Sequence, residues 1–348
     1  MKENSQNLTH FRASYDPDFK EKAFVEKTIA AWQQGCKAFT LYTSGSTGTP
    51  KSIVLSRALL EWSIKNTQLS LGLTEAQNQI YVLCCLPVQK TGGFMQLIRA
   101  LHLNWHIHFT NPTSKPNLDL LMGHQQIDLV SLTPMQLEYV IQNTVDYFQN
   151  IKHVLIGGAA ISSTLNSQIY QLRSTSKTLF WETYGMTETA SHIALRQIGK
   201  DTYFKPQKGV RLSTDANEQL IISIPELNII VGTNDVVEKH TDGFALLGRT
   251  DDVINSGGLK LHPAMLEPQI KKVLNGLGIT YNFYLGKQMD KIFGEMAVLV
   301  LEGKRGLIDD QLLMTLKEQL PPYQHPKKIV WVEKISYTDT GKVKRLPL

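Results

Sequence analysis

The sequence predicts an α/β fold with two domains. Apolar runs alternate with amphipathic helical patterns from residue 39 to about residue 184, as in a doubly wound sheet. After residue 191 the runs become short and alternating, which indicates a β-rich subdomain, and beyond residue 252 helix and strand patterns mix again. We therefore predict a large N-terminal domain over residues 1–250 and a small α+β C-terminal domain over residues 251–348.

The N-terminal half follows the alternation element by element. Residues 1–37 form a helical lead-in, with its best helix over 23–32, and Ser56 is the predicted N-cap of a later helix. Further helices are predicted over 134–142, where Pro134 suits the first position, and over 162–172. The predicted strands are 80–86, 105–109, 129–132, 152–156 and 178–183. Ligands of such sheets bind at the carboxyl ends of the strands.

The C-terminal part has shorter elements. Strands are predicted over 220–224, 227–231 and 245–247, and a domain boundary at 249–252. The remaining patterns predict helices over 263–274 and 309–320 and strands over 281–285, 296–301 and 329–332.

Composition narrows the class of protein. The 348 residues are 42% hydrophobic and 19% charged with a net charge of +5, which is typical of a globular protein. The basic residues near the end have no interleaved aromatic residues, so they favour a small anion over nucleic acid. Three cysteines without metal-ligand spacing, a polar start and no membrane-length apolar run predict a cytoplasmic protein. Cys84 and Cys85 are predicted to be small core residues.

Residues 41–51 carry the strongest chemical signal. Hydroxyl groups and glycines lie between two apolar runs and end at a lysine, which predicts a loop whose N–H groups and charge bind polyphosphate. The Walker spacing is absent, so this is not a P-loop NTPase of that kind. A solvated linker is the alternative, which the flanking apolar runs disfavour. The predicted nucleotide-binding residues are Thr43, Ser44, Gly45, Ser46, Thr47, Gly48 and Lys51.

A second motif, 183–189, follows the last predicted strand of the sheet. Tyr184 could stack on a purine, Gly185 permits close approach, Thr187 could bind a phosphate oxygen, and Glu188 could bind Mg²⁺, which prefers hard oxygen ligands. The alternative is a buried core tyrosine and a solvated glutamate. The two motifs in this order resemble the adenylate-forming superfamily of acyl-CoA synthetases, peptide-synthetase adenylation domains and luciferases. The resemblance covers residue 38 to the end, and the part that usually precedes the phosphate loop is nearly all missing.

The resemblance assigns further residues of the C-terminal half. Asp235 would bind the ribose hydroxyl groups and Arg249 ribose or phosphate, the alternative for Arg249 being a surface ion pair. Asn234 replaces the usual glycine of a turn, and because asparagine tolerates left-handed geometry we expect that turn to survive. Asp251 would be the hinge residue.

Two more segments would serve catalysis by the same resemblance. Lys342 follows Gly341 as the catalytic lysine does in the family, although Asp339 and Thr340 replace the usual preceding proline. A compact ammonium suits the role because it can bridge a carboxylate and the α-phosphate. Gly257 and Gly258 would leave room for the pantetheine arm of coenzyme A. The cofactors and co-substrates implied are ATP, Mg²⁺ and coenzyme A.

The acid is predicted from softer similarities. Three local runs, 86–93, 187–194 and 256–261, look like those of compact o-succinylbenzoate–CoA ligases of menaquinone biosynthesis. A dicarboxylate needs a cation at the far end of its pocket, for which Lys90 and a donating His192 are candidates. A solvated lysine and a core histidine are the alternatives. In relatives the loop of Gly157, Gly158 and Ala159 packs against adenine and the acyl group, the alternative being a plain turn.

Other functions stay open at this point. They are a CoA ligase for another aryl or acyl acid, an amino-acid adenylation domain, and a nucleotide-binding module without turnover. An amino-acid pocket needs an acidic partner for the amine, and none is evident near Lys90. Loss of activity is disfavoured because the predicted functional residues are intact, namely Lys51, Glu188, Asp235, Arg249 and Lys342. The sequence leaves open whether the chain is a homodimer.

Overall fold

A computed structural model describes residues 11–43, 51–73, 79–116, 118, 126–304, 309–337 and 343–345. The chain divides into two compact units, the first comprising Met1–Arg211 and Ser223–Val231 and the second Leu212–Ile222 and Gly232–Leu348. The predicted boundary between domains 1–250 and 251–348 does not coincide with this division into units, and it stays a prediction. Among the described residues, no helix is long and apolar enough to cross a membrane.

The first unit is built on an eight-stranded sheet in the order β1-β5-β4-β6-β7-β8-β9-β10. The pairs from β1 to β8 are parallel, whereas β9 and β10 continue the sheet antiparallel. These strands are β1 (Arg12–Tyr15), β4 (Tyr81–Cys84), β5 (His106–Phe109), β6 (Ile127–Leu132), β7 (Ile151–Ile156), β8 (Leu179–Gly185), β9 (His192–Gln197) and β10 (Lys205–Pro206). The strand β1 was not predicted, since residues 1–37 read as helical.

Helices and one hairpin complete this unit. The hairpin pairs β2 (Ala38–Thr43) with β3 (Lys51–Ser56) around the predicted phosphate loop. The helices are α1 (Lys22–Gln33), α2 (Arg57–Leu71), α3 (Thr91–His102), α4 (Pro134–Asn143) and α5 (Ser163–Leu172). Ser56 caps α2 as predicted, because its side chain accepts a hydrogen bond from Leu59 N at 3.2 Å.

Apolar cores cover both faces of the large sheet, because successive strand residues point to opposite sides. In β6, Leu129 packs with the α1 and α3 side of the sheet, whereas Val130 packs with the α4 and α5 side. Cys84 and Cys85 follow the same alternation and are completely buried, one on each side, which confirms the prediction that they are core residues. The predicted doubly wound sheet is therefore confirmed.

Two smaller sheets follow in the chain. The four-stranded one, in the order β11-β12-β13-β14, comprises β11 (Arg211–Thr214), β12 (Gln219–Ile224), β13 (Ile229–His240) and β14 (Gly243–Arg249). The predicted strand over 227–231 begins only at Ile229, because Pro225–Leu227 form a 3-10 turn and Asn228 is left-handed with φ 53°. The five-stranded sheet packs on α6 (Pro263–Gly276) and α7 (Asp309–Gln319) and comprises β15 (Ile254–Ser256), β16 (Leu259–Leu261), β17 (Phe283–Asp290), β18 (Gly294–Glu302) and β19 (Lys328–Val332).

A buried histidine on β7 makes the fold sensitive to acid. His153 is 7% exposed and accepts a hydrogen bond from Trp181 Nε1 at 3.2 Å. Burial, assisted by Lys152, lowers the pKa of His153 from 6.5 to about 4, against the opposing effect of Asp128. The unfolded chain therefore binds this proton more readily, so stability present above pH 6.5 is lost as the pH falls through about 4.

We expect this histidine to account for about 3 kcal/mol of that loss, at about 1.4 kcal/mol per pKa unit. The free energy of unfolding of wild type and of His153→Gln, which keeps an acceptor for Trp181, should be measured by urea denaturation between pH 7 and pH 4. The variant should lose less stability than wild type over this interval. Parallel curves for the two proteins would contradict the assignment.

Candidate active site

Two glycine-containing loops meet at the carboxyl ends of β7 and β8. Gly157 follows β7 and donates from its N–H to Leu132 O at 3.2 Å, while Thr183 Oγ1 on β8 donates to Ile156 O at 3.0 Å. A Cβ atom on Gly157 would overlap the Thr183 hydroxyl, so only glycine permits this approach. Gly158 has φ +87°, which favours glycine. The loop 157–159 thus lies beside the strand that leads into the second motif.

The second motif forms a tight turn after β8. Thr187–Thr189 are a 3-10 turn, and Thr189 Oγ1 donates to Ser191 O at 2.7 Å while accepting from Met186 N at 3.1 Å. A Cβ atom on Gly185 would overlap the Ser191 carbonyl oxygen. Internal hydrogen bonds and close packing therefore fix the turn that carries the predicted phosphate and magnesium residues, Thr187 and Glu188.

Tyr184 precedes this turn and is 8% exposed. Its ring centroid lies 6.0 Å from that of Phe204 at an interplanar angle of 57°. The tyrosine thus packs inside the first unit, as the core alternative requires. Stacking on a purine stays a prediction.

Three of the predicted segments come together around this turn. The hydroxyl oxygens of Thr187 and Thr91, the first residue of α3, lie 2.7 Å apart. Lys90 Nζ donates to Tyr42 O at 3.3 Å, next to the start of the predicted phosphate loop. The strand β3, which begins at Lys51, contacts the turn Thr187–Thr189. Segments separated by more than a hundred residues therefore converge in the first unit.

Part of the predicted loop lies outside the described residues. This part contains the predicted residues Ser44, Gly45, Ser46, Thr47 and Gly48. The backbones that flank it are paired, Thr43 with Lys51, so the hairpin brings the two ends of the loop together. The roles predicted for Thr43 and Lys51 stay predictions.

His192 is enclosed by protein groups. It is 5% exposed, its Nε2 lies 3.0 Å from Thr67 Oγ1, and its Nδ1 lies 3.2 Å from Ser191 Oγ. Burial, and to a lesser degree the charge of Arg99, lowers the pKa of His192 well below its ordinary value. The ring is therefore neutral at pH 7 and both its nitrogens have protein partners. A direct contact between His192 and the acid stays a prediction.

In the second unit, the two predicted ribose-binding residues lie opposite each other on β13 and β14. Asp235 pairs with Arg249 in register, and Arg249 Nη1 lies 3.3 Å from Asp235 Oδ1. Arg249 Nη2 also lies 3.1 Å from Asp251 Oδ2. These ion pairs are the alternative considered for Arg249, and they also place Asp235, Arg249 and the predicted hinge residue Asp251 together.

The prediction of a turn at residues 233–235 is wrong. These residues lie within the continuous strand β13, and Asn234 is not among the described residues with positive φ. An extended backbone accepts any residue, which is why asparagine can replace glycine here. The Asn234 side chain instead donates to Asp251 Oδ2 at 3.2 Å.

Gly257 and Gly258 form the two-residue turn between β15 and β16. Both have positive φ, 58° and 83°, as tight hairpin turns require. A Cβ atom on Gly258 would meet nothing within 4 Å, so backbone conformation explains this glycine. The predicted passage for the pantetheine arm stays a prediction.

Lys342 lies outside the described residues, and the chain on both sides of it is anchored. Tyr337 and Val343 form an antiparallel bridge. Arg345 binds both carboxylate oxygens of Glu267, at 2.7 and 3.1 Å, and its Nε lies 3.3 Å from Asp252 Oδ1. This bidentate ion pair was not predicted from the sequence, because Arg345 and Glu267 are 78 positions apart.

The geometry can be compared with known proteins. Residues 5–216 match the family model described as AMP-binding enzyme. The chain belongs to the AMP-binding enzyme family. This membership confirms the resemblance to the adenylate-forming superfamily and the predicted class of enzyme, an AMP-forming acid–thiol ligase.

Individual family members match along most of the chain. A 2-succinylbenzoate–CoA ligase of Listeria monocytogenes is 24% identical over 95% of this chain and 72% of its own. One of Staphylococcus aureus is 24% identical over 88% and 66%. The crystal structure of an acyl-CoA synthetase (AMP-forming)/AMP-acid ligase II-like protein from Dyadobacter fermentans has a TM-score of 0.61 and 32% identity, covering 94% and 93%.

A fourth comparison supports the fold alone. The o-succinylbenzoate coenzyme A synthetase of Bacillus subtilis, solved in complex with ATP and magnesium ion, has a TM-score of 0.73. Its sequence is 21% identical, and the match covers 88% of this chain and 68% of the synthetase.

The donor set of this AMP-binding enzyme fits magnesium held with a nucleotide. Within the described ranges, no three His, Cys, Asp or Glu side chains group as ligands of a metal ion. Mg²⁺ in nucleotide enzymes keeps several waters and takes one or two carboxylates together with phosphate oxygens. The half-buried Glu188, on a turn fixed by its neighbours, can supply such a carboxylate.

Proposed function

We propose that this chain ligates o-succinylbenzoate to coenzyme A at the expense of ATP, as a step of menaquinone biosynthesis. The observation that carries the proposal is the meeting of Lys90 and Thr91 with the turn of Thr187 and Glu188 and with the hairpin of the predicted phosphate loop. In this proposal one region of the first unit binds polyphosphate, magnesium and the acid. The 2-succinylbenzoate–CoA ligases among its relatives support this choice of acid.

The reaction has two steps. A carboxylate oxygen of the acid attacks the α-phosphorus of ATP, the bond to the bridging oxygen breaks, and pyrophosphate leaves. The thiol of coenzyme A then attacks the acyl carbon and loses its proton to solvent, the bond from that carbon to the phosphate oxygen breaks, and AMP leaves. When bound, Mg²⁺ neutralises phosphate charge. The chain's own groups hold the reactants: Lys51 and the hydroxyl groups of its loop bind the leaving phosphates, and Lys342 bridges the carboxylate and the α-phosphate.

Further residues along the chain have roles in this proposal. Asp235 and Arg249 bind the ribose, and Asp251 is the hinge that lets Lys342 leave after the first step. The loop with Gly257 and Gly258 then admits the thiol. The ion pairs of Arg249 with Asp235 and Asp251 place the proposed ribose-binding residues beside the proposed hinge residue.

Lys90 is the proposed partner of the second carboxylate of the acid. It is exposed at the start of α3, and the one described hydrogen bond of its side chain leaves ammonium protons for a ligand. We expect Lys90→Met to raise KM for o-succinylbenzoate by about 10-fold, as for a lost hydrogen bond to a charged group. Turnover of a simple aryl acid should not fall.

The matched control is Lys65→Met, which removes an exposed lysine from α2. Steady-state CoA-ester formation by all three proteins would measure the effect. An unchanged KM for o-succinylbenzoate in Lys90→Met would show that another group binds the second carboxylate.

Pyrophosphate release over a panel of acids tests the proposed function itself. The panel contains o-succinylbenzoate, benzoate, a fatty acid and amino acids, each with and without coenzyme A. We expect the highest kcat/KM for o-succinylbenzoate and formation of its CoA ester. Preference for another acid in the presence of CoA would support a CoA ligase for that acid. Pyrophosphate release with amino acids, independent of CoA, would support an amino-acid adenylation domain. No release with any acid would support a nucleotide-binding module without turnover.

A further inference from the structure

Arg99 is a buried cation that no described carboxylate neutralises. It lies on α3 and is 2% exposed. Its Nη2 donates to Ser191 Oγ at 2.7 Å, and its Nε has no hydrogen-bond partner among the described residues. Burial lowers the pKa of Arg99 to about 9, so it keeps its charge at neutral pH. A buried charge in this state is costly, and the one hydrogen bond that its side chain makes among the described residues goes to the residue next to His192.

The hydrogen bonds beyond Ser191 follow from the donation by Arg99. Because Arg99 Nη2 donates to Ser191 Oγ, the hydroxyl proton of Ser191 turns toward His192 Nδ1, which lies 3.2 Å away. The buried ring is neutral, so an accepting Nδ1 leaves the proton on Nε2, which donates to Thr67 Oγ1 at 3.0 Å. The Thr67 hydroxyl group in turn donates to Ser63 O at 2.9 Å.

The same serine holds the turn that carries the reactive groups. Its carbonyl oxygen accepts from Thr189 Oγ1 at 2.7 Å and lies against the backbone of Gly185. Ala190, between Thr189 and Ser191, has φ 62°, which an L-residue adopts only when its surroundings impose it. The position of Ser191 therefore determines where Thr187 and Glu188 lie.

We propose that Arg99 is a positioning residue, which through Ser191 fixes His192 in the neutral Nε2–H form and holds the turn of Thr187 and Glu188 in place for Mg²⁺·ATP. The chain of hydrogen bonds runs from Arg99 through Ser191, His192 and Thr67 to the carbonyl group of Ser63. It joins α3, the start of β9 and α2. The inference rests on the proposed function for its kinetic effect, but the form of His192 is independent of it.

Nitrogen NMR of the protein labelled with ¹⁵N-histidine tests the proposed chain of hydrogen bonds without any assay of activity. At pH 7 His192, assigned by its loss in His192→Gln, should show a protonated Nε2 and an unprotonated Nδ1. In Arg99→Met the Ser191 hydroxyl group is free to turn, and the spectrum should show both neutral forms. A wild-type spectrum with Nδ1 protonated would overturn the proposal.

Kinetics test the effect on the turn. Arg99→Met keeps the length of the side chain and removes the buried charge, and we expect kcat/KM for Mg²⁺·ATP in pyrophosphate release to fall about 10- to 100-fold, as for supporting residues of metal ligands. The Mg²⁺ concentration for half-maximal rate should rise. Arg99→Lys, which can still donate to Ser191, should recover part of the loss.

The matched control is Arg57→Met. Arg57 stacks on Trp32 and pairs with Glu61 on α2, so it lies outside the chain of hydrogen bonds. In this variant kcat/KM for Mg²⁺·ATP and the Mg²⁺ concentration for half-maximal rate should both equal the wild-type values. A folded Arg99→Met with wild-type kinetics, or an equal loss in Arg57→Met, would overturn the proposal. Should Arg99→Met not fold, Ser191→Ala decides, because it removes the hydroxyl group that links Arg99 to His192, and wild-type kinetics in that variant would also overturn the proposal. A wild type inactive with every acid would instead refute the proposed function and leave the NMR result standing.

Discussion

Lys342→Ala should lose formation of the acyl-adenylate about 10³-fold and keep the transfer of a supplied acyl-adenylate to coenzyme A. Two like charges about 4 Å apart repel by roughly 4 kcal/mol at an effective dielectric constant near 20, and this repulsion opposes attack of the carboxylate on the α-phosphate. The second step joins a thiol to a neutral acyl carbon and does not need that cation. Pyrophosphate release and single-turnover CoA-ester formation would measure the two steps separately.

The matched control for this variant is Lys344→Ala. Lys344 is exposed two positions away, and its described hydrogen bond is made by its backbone N–H, to Ser336 O at 2.8 Å. Both half-reactions should remain at the wild-type rate. If Lys342→Ala reduced both half-reactions equally, Lys342 would not act in the first step alone, and the prediction would be refuted.

Gly185→Ala should reduce pyrophosphate release at least 100-fold, which corresponds to about 2.7 kcal/mol of activation free energy. The added Cβ atom would overlap the Ser191 carbonyl oxygen and the His192 Cα atom, and both are backbone that cannot move aside as a flexible side chain would. The turn with Thr187 and Glu188 must therefore shift. A displacement of about 1 Å from productive geometry is sufficient for such a loss.

The second glycine variant, Gly232→Ala, separates this effect from a general effect of alanine. Gly232 also lies in a strand, and a Cβ atom there would meet nothing within 4 Å. Its activity and thermal midpoint should match or exceed those of wild type. If Gly185→Ala kept wild-type kinetics, close packing at this turn would have no role in the reaction.

Local patterns in the sequence were sufficient for the central parallel strands of the first unit. The runs at β6 and β7 read as buried strands because both faces of these strands are covered, and Ser56 read as an N-cap because its partner, Leu59, is three residues away. The strand β1 escaped prediction because its partner is β5, more than ninety residues later. Asn234 was misread because a family pattern suggested a turn where the chain continues as a strand.

The sequence by itself determined the family, the order of the motifs and the sheet they follow, because these depend on residue types at short spacing. The tertiary structure alone decided that Thr91 meets Thr187, that Arg345 binds Glu267, and that Arg99 lies behind Ser191 and His192 with no counter-ion among the described residues. These groups are 78 to 96 positions apart. Their hydrogen bonds and charges interact only after the strands and helices have packed, so no periodicity along the chain records them.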